Sequence, residues 1–283
     1  MLCQFTVKNF KSIRDEVTFD MQAAAISEHE DRIIIDKNAE KYLPVSAIYG
    51  PNGGGKSNVL AALHTLVAKV LRPLFATEDS EERVLFQKKI IVEPFAFSES
   101  RNEPTEFELF FRTTVSEYRY ILHVKRDIVL YERLDRVKLE TGRKSALFTR
   151  DENGIVLKGA FAKLNVSDEL SKTLTLLSYL GIAYKGNAVV KDALSWFEYG
   201  IEFLNYGNPI QELKMAVSTS EEVKQLMLQM IQEMDLDIVD FRVEEKENER
   251  IDIFTKHCVD DVETEINLFD ESSGTQKLFG LLP

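Results

Sequence analysis

One stretch concentrates the residue types that bind phosphate: Gly50-Pro51-Asn52-Gly53-Gly54-Gly55-Lys56-Ser57, with the spacing G-x-x-x-x-G-K-[ST]. Glycines at this density let backbone N–H groups turn toward one point, because they accept positive φ and carry no Cβ. Those donors, with the free N–H groups of a following helix start, form an anion cradle. Lys56 would set a cation on the β- and γ-phosphates of a nucleoside triphosphate, and the Ser57 hydroxyl would ligate Mg²⁺. The alternative is a glycine-rich turn with no ligand.

Such a loop has to be held between a strand and a helix, and the flanking sequence offers both. Residues 45–49 (Val-Ser-Ala-Ile-Tyr) read as a short strand that could be buried. From Lys56, apolar residues at Val59, Leu60, Leu63, Leu66, Val67 and Val70 recur at helical spacing to about Leu71. Upstream, 5–10 and 17–21 alternate apolar and polar, as two half-buried strands joined by a turn at 11–15. Residues 73–90 read as a loop or short helix. Strands follow at 107–111, 118–124 and 128–131, closed by the hairpin signal Glu152-Asn153-Gly154. From about 168 to 235 the period is helical. One helix runs through Leu170, Leu174, Leu177 and Leu180, and another over 193–204. Thr219 with Glu222 opens a third, whose face of Val223, Leu226, Met227, Met230 and Met234 reads as core. Strands return at 239–243 and 251–254, with a charged, solvated tip at 244–250.

Composition narrows the classes. The chain has 283 residues, 44% apolar and 29% charged, ordinary for a globular protein with a sizeable core. The net charge of −12 disfavours broad DNA affinity, which draws on Lys and Arg meeting phosphates. It leaves room for a local basic patch and says nothing against nucleotide binding. No uninterrupted apolar run approaches the ~18–20 residues of a membrane span. No basic-then-apolar opening signals secretion, and no membrane partner is expected. Cys3 and Cys258 carry no disulfide or metal spacing, so a cytoplasmic location is expected. His29, His64, His123 and His257 are scattered.

Near the C-terminus, Glu271-Ser272-Ser273-Gly274-Thr275-Gln276-Lys277 resembles the Leu-Ser-Gly-Gly-Gln signature of ATP-binding-cassette ATPases. Ser273, Gly274 and Gln276 match that form; Ser272 and Thr275 depart from it. A Ser-Gly pair opening a helix suits a γ-phosphate. The opening 5–13 and the loop 49–58, including Asn58, are similar to the RecF and SMC branch of that superfamily. Glu99-Ser100, the run 102–107 and the 271–277 segment together resemble the bacterial AAA-type ATP-binding proteins linked to abortive infection and phage defence.

That resemblance implies an α/β fold of the P-loop ATPase type. A mixed sheet would carry the loop, flanked by antiparallel strands, with 1–154 as the ATPase lobe, 155–235 as a helical subdomain and 236–283 as returning strands and signature. It also implies ATP with Mg²⁺ sandwiched in a homodimer, the loop of one copy facing Ser273-Gly274 of the other, and control of a partner such as a nuclease or toxin. Lys11 could reach the nucleotide or be an exposed turn lysine. In the family an acidic pair on a buried strand follows the signature helix, and a switch histidine comes later. Here the chain reaches Pro283 first, so the sequence reads as a member cut short that binds ATP with little or no hydrolysis. The run 266–271, ending Asp270-Glu271, superficially fits the acidic pair, but Asn267 interrupts it. Ile33-Ile34-Ile35-Asp36 lacks the second acid. The rivals are a DNA-repair ATPase and a non-catalytic nucleotide-binding module.

Overall fold

Alternation at period two builds a seven-stranded sheet from β1 (Leu2–Lys8), β2 (Val17–Asp20), β5 (Thr105–Arg112), β6 (Ser116–Lys125), β7 (Ile128–Lys138), β8 (Lys144–Asp151) and β9 (Gly154–Leu157). Their order is β2-β1-β5-β6-β7-β8-β9, and every neighbouring pair is antiparallel. β3 (Ile34–Ile35) and β4 (Lys41–Tyr42) form a separate small ladder. The computed structural model describes residues 1–25, 29–36, 39–51, 54–75, 90–97, 99–167, 170–203, 221–233, 238–246, 250–259 and 262–279.

The sheet is two-sided in chemistry. Phe5 and Val7 of β1, Phe107, Leu109 and Phe111 of β5, and Tyr118, Tyr120 and Leu122 of β6 turn to the buried face. The other face carries cross-strand charge pairs, Lys8–Glu106 and Arg119–Glu108. Three helices belong with the sheet: α1 (Lys56–Phe75), α2 (Leu176–Ala183) and α3 (Ala188–Tyr199). α1 packs on α2 and α3. Trp196 and Phe197 of α3 meet the ring of Phe111, with centroids 4.8 and 5.3 Å apart, which seats α3 on the sheet. At 20 residues α1 is long and apolar enough to span a membrane by length and composition alone. Ala62, Leu63, Leu66, Val67 and Val70 on one side of it are buried within the protein.

Helix starts sit where local capping puts them. α2 opens at Leu176, not near Leu170, because the Thr175 hydroxyl accepts from Ser178 N. α3 opens at Ala188, because the Asn187 side chain accepts from Val189 N and Val190 N. It ends at Tyr199 before Gly200, where the sequence pattern had suggested 193–204. Under α2, the wholly buried Glu132 of β7 accepts from Leu176 N, Leu177 N and Tyr120 Oη. A carboxylate at a helix N-terminus meets both the free N–H groups and the dipole.

The structure corrects two expectations. Residues 45–49 form no strand, and Val45 and Tyr49 are 77% and 90% exposed. A strand persists only where a neighbour completes its ladder, and no strand among the described residues lies beside this one. For the same reason the sheet is antiparallel throughout, not mixed: no parallel pair occurs among the described residues.

By contact the chain divides into Met1–Glu202 and Phe203–Pro283. The segment 155–235 read from sequence as one helical subdomain is thus shared between them, since α2 and α3 find their apolar partners in α1 and the sheet. The second unit holds α4 (Glu221–Glu233), the antiparallel β10 (Ile238–Lys246), β11 (Arg250–Val259) and β12 (Val262–Asn267), and α5 (Ser273–Phe279). Its core is Met227, Ile231, Ile238, Phe241, Ile253, Leu268 and Phe279. Met227 is thus core, as its periodicity predicts, while Leu226 is half exposed. Thr219, Met234 and the tip 247–249 lie outside the described residues.

Candidate functional site

The glycine-rich loop ends where α1 begins. Gly55 has φ of 83°, and a Cβ there would come within 3.0 Å of Ser12 Oγ. A Cβ at Gly54 would meet the Pro51 carbonyl oxygen at 3.0 Å. Both glycines are therefore required by backbone conformation or close approach. Gly54 N donates to Pro51 O at 3.1 Å, closing the turn. Lys56 folds back over the loop, donating from Nζ to Gly50 O and Pro51 O at 2.8 Å each. Ser57 is exposed on the first turn of α1. Asn52 and Gly53 lie outside the described residues.

A second turn braces the first. Residues 9–14 after β1 fold tightly, with Phe10 N bonded to Ile13 O at 2.8 Å and Ile13 N to Phe10 O at 2.7 Å. Asn9 and Lys11 hold left-handed φ of 58° and 49°. Ser12 Oγ accepts from Asn58 Nδ2 at 2.7 Å, tying this turn to the start of α1. Lys11 N donates to Glu93 O, and Lys11 Nζ stands 5.5 Å from the centre of the Phe10 ring. Lys11 is thus in the turn that abuts the loop, with its ammonium over an aromatic face.

Asn9 locks that turn to the rest of the sheet. Its buried Nδ2 faces the carbonyls of Ser100, Glu103 and Pro104, and its Oδ1 accepts from Phe95 N. Thr105 Oγ1 donates to Asn9 O at 2.6 Å. The segments 5–13, 49–58 and 99–107, each singled out separately in sequence, therefore meet at one corner. Sequence reasoning left Asn9 and Ser12 unassigned. The available signal was an Asn where a strand ends, since Asn tolerates left-handed φ and caps neighbouring backbone.

The corner fits a phosphate chain. Its glycines hold a tight turn that a Cβ would crowd, its lysine is bonded to two neutral carbonyls, and Lys56 and Ser57 open α1 ahead of Asn58, whose N–H is already bonded to Gly55 O. No group of three or more His, Cys, Asp or Glu that could hold a metal alone occurs among the described residues. Metal binding here would rest on Ser57 together with phosphate oxygens.

The signature-like segment lies in the second unit. Ser272 caps α5, its Oγ accepting from Thr275 N at 3.1 Å. Gln276 folds back, donating from Nε2 to Phe269 O and Glu271 O at 2.9 Å each. Gly274 is exposed, and Ser273 is the first residue of α5. Glu271 accepts from Thr255 Oγ1, and its Oε1 is 2.6 Å from His257 Nε2. Asp270-Glu271 thus closes a short 3₁₀ turn after β12, whose residues are mostly exposed. That is not the end of a buried strand, so these acids differ from the water-activating pair their spacing superficially resembles.

No curated protein matched the chain. A family model described as "AAA domain, putative AbiEii toxin, Type IV TA system" matches residues 45–283. The match starts just before the loop, takes in the signature-like segment, and leaves out β1 and the bracing turn. It spans most of the chain, and on that ground the chain belongs to this AbiEii-type family of AAA domains, a P-loop ATPase family.

Proposed function

We propose that this chain binds ATP with Mg²⁺ at residues 50–57, and that ATP joins two copies. In that assembly the loop of one copy faces Ser273, Gly274 and Gln276 of the other. One observation carries the reading: Lys56 Nζ sits on two loop carbonyls at the start of α1, beside glycines that admit no Cβ. Bound there, the nucleotide and its metal supply the charge that the cradle complements and the γ-phosphoryl group. Lys56 would exchange its neutral carbonyl acceptors for anionic phosphate oxygens, so that its ammonium faces an opposite charge. The free N–H groups of α1 would bind the same oxygens, and the Ser57 hydroxyl would orient the metal. Ser12 and Asn58 would hold the loop in register.

The chain is expected to bind with little turnover, because Asp270-Glu271 follows a mostly exposed strand and Glu271 is bonded to Thr255 and His257. Its biological role would be an ATP-dependent switch on a partner nuclease or toxin. The matched family's description and the resemblance to phage-defence ATPases support that role. A DNA-repair role is disfavoured by the charge of −12.

The test is equilibrium titration with fluorescent ATP and Mg²⁺, followed by sedimentation. Native chain should bind saturably and sediment as a dimer with ATP. Lys56→Ala should bind at least about tenfold more weakly, the loss of one charge-assisted contact. Equal uptake by the two proteins would refute the site, while binding without dimerisation would refute only the sandwich.

A further inference from the structure

At the opposite end of β1 from the loop, a cavity of 1040 Å³ opens within the first unit. Its wall is built by the C-terminal end of α3 (Trp196, Tyr199, with Gly200 after it), the β5–β6 turn at Val115, and the last residues of β7, Arg136 and Lys138. Nothing in the proposed nucleotide site uses these residues.

The wall is unusual in three respects. Trp196 is 2% exposed, yet its Nε1–H has no hydrogen-bond partner among the described residues. A buried indole N–H ordinarily finds one. The pyrrole edge of that indole lies directly under Gly200: a Cβ there would come within 2.6 Å of Trp196 Cδ1. Gly200 of the same wall therefore packs directly against this edge of the ring. Tyr199 beside it is 86% exposed and Val115 52% exposed, so the rim presents bare apolar surface.

Two cations complete the site. Lys138 is exposed, and Arg136 spends only Nε, on Ser116 Oγ at 2.8 Å; neither makes an ion pair among the described residues. Arg112, in the same wall, is committed to Asp36 and Glu117. Glu140 adds one carboxylate at the rim. Two uncommitted cations beside an aromatic and aliphatic wall match one ligand chemistry. We propose that this cavity binds a small amphipathic anion, with its flat apolar body against Tyr199 and Val115, beside the edge of Trp196, and its carboxylate, sulfonate or phosphate on Arg136 and Lys138. A hydrogen-bond acceptor on the body would take up the Trp196 N–H.

Trp196 is the only tryptophan of the chain, so its emission reads this wall directly. The probes are anilinonaphthalene sulfonate and phenylnaphthylamine, the same rings without the charge. The sulfonate should quench Trp196 saturably at one site, about tenfold more tightly than the neutral probe, as expected of two partly exposed charges. Arg136→Gln with Lys138→Gln should abolish that preference, and Lys56→Ala should leave it intact. Thermal unfolding reports whether the double variant is folded; if it is not, Lys138→Glu, at an exposed position, should lower the preference severalfold. Unsaturable quenching, equal affinity for the two probes, or a preference that survives these variants would overturn the proposal. ATP titration is unaffected by any of these outcomes, so the two sites fail independently.

Discussion

Single residues decide the loop's shape. Gly55 combines a left-handed φ with a neighbour, Ser12 Oγ, at the distance where a Cβ would stand. Gly55→Ala should therefore cost about 1–3 kcal/mol of stability from backbone strain, read by denaturant unfolding. Nucleotide affinity should fall with it. Adding Ser12→Gly should return only the steric part, because the strained φ remains; full recovery would show that crowding alone disfavours alanine. The tight glycine turn ahead of α1 was readable from residue types and spacing, because positive φ and close approach ask for glycine. Asn9 was not. Its importance comes from carbonyls of Ser100, Glu103 and Pro104, some ninety residues away, which only the folded chain brings within reach.

Elements are held by contacts that periodicity only partly shows. β1, β5 and β6 follow their alternation closely, because one face of the sheet is buried and the other is wet. α2 starts six residues later than Leu170 because Thr175 and Glu132 satisfy its first N–H groups. Glu132→Ala would leave Leu176 N and Leu177 N unpaired in the core, at about 1–3 kcal/mol each, and take one of its partners from the Tyr120 hydroxyl. Denaturant unfolding should show a loss of at least about 3 kcal/mol. Burial pushes the Glu132 carboxyl up, against the opposing pull of those donors and of Arg150. The folded protein thus holds this proton more tightly than the unfolded chain. Stability from this group is present at low pH and falls as pH rises from the ordinary carboxylate range through the raised value. Glu132→Gln should remove that component of the pH profile; an unchanged profile would show that the carboxyl titrates normally.

For the whole molecule, charge and topology set the limits. A chain of net charge −12 has little to offer a phosphate backbone unless basic residues gather on one face. Duplex DNA should show no saturable binding at physiological salt in a fluorescence anisotropy titration, with or without ATP. Tight, salt-sensitive binding would instead favour the DNA-repair reading. The topology is a one-sided antiparallel sheet with three helices, and a second unit with its own core from Met227 to Phe279. Neither the all-antiparallel pairing nor the division after Glu202 follows from local pattern. Pairing partners are set by long-range register, and α2 and α3 join the first unit because their apolar faces find α1 and the sheet.

The sequence by itself determined the glycine-rich turn ahead of α1, the alternating strands of the main sheet and the membership in a P-loop family. Each of these is written in residues close together in the chain, where backbone conformation and side-chain period are local properties. The tertiary structure alone decided that residues 45–49 stay out of any sheet, that Asn9 and Ser12 brace the loop, and that Glu271 is spent on Thr255 and His257. Those outcomes depend on which distant groups arrive as neighbours, and a ladder partner or a buried acceptor leaves no trace in local sequence.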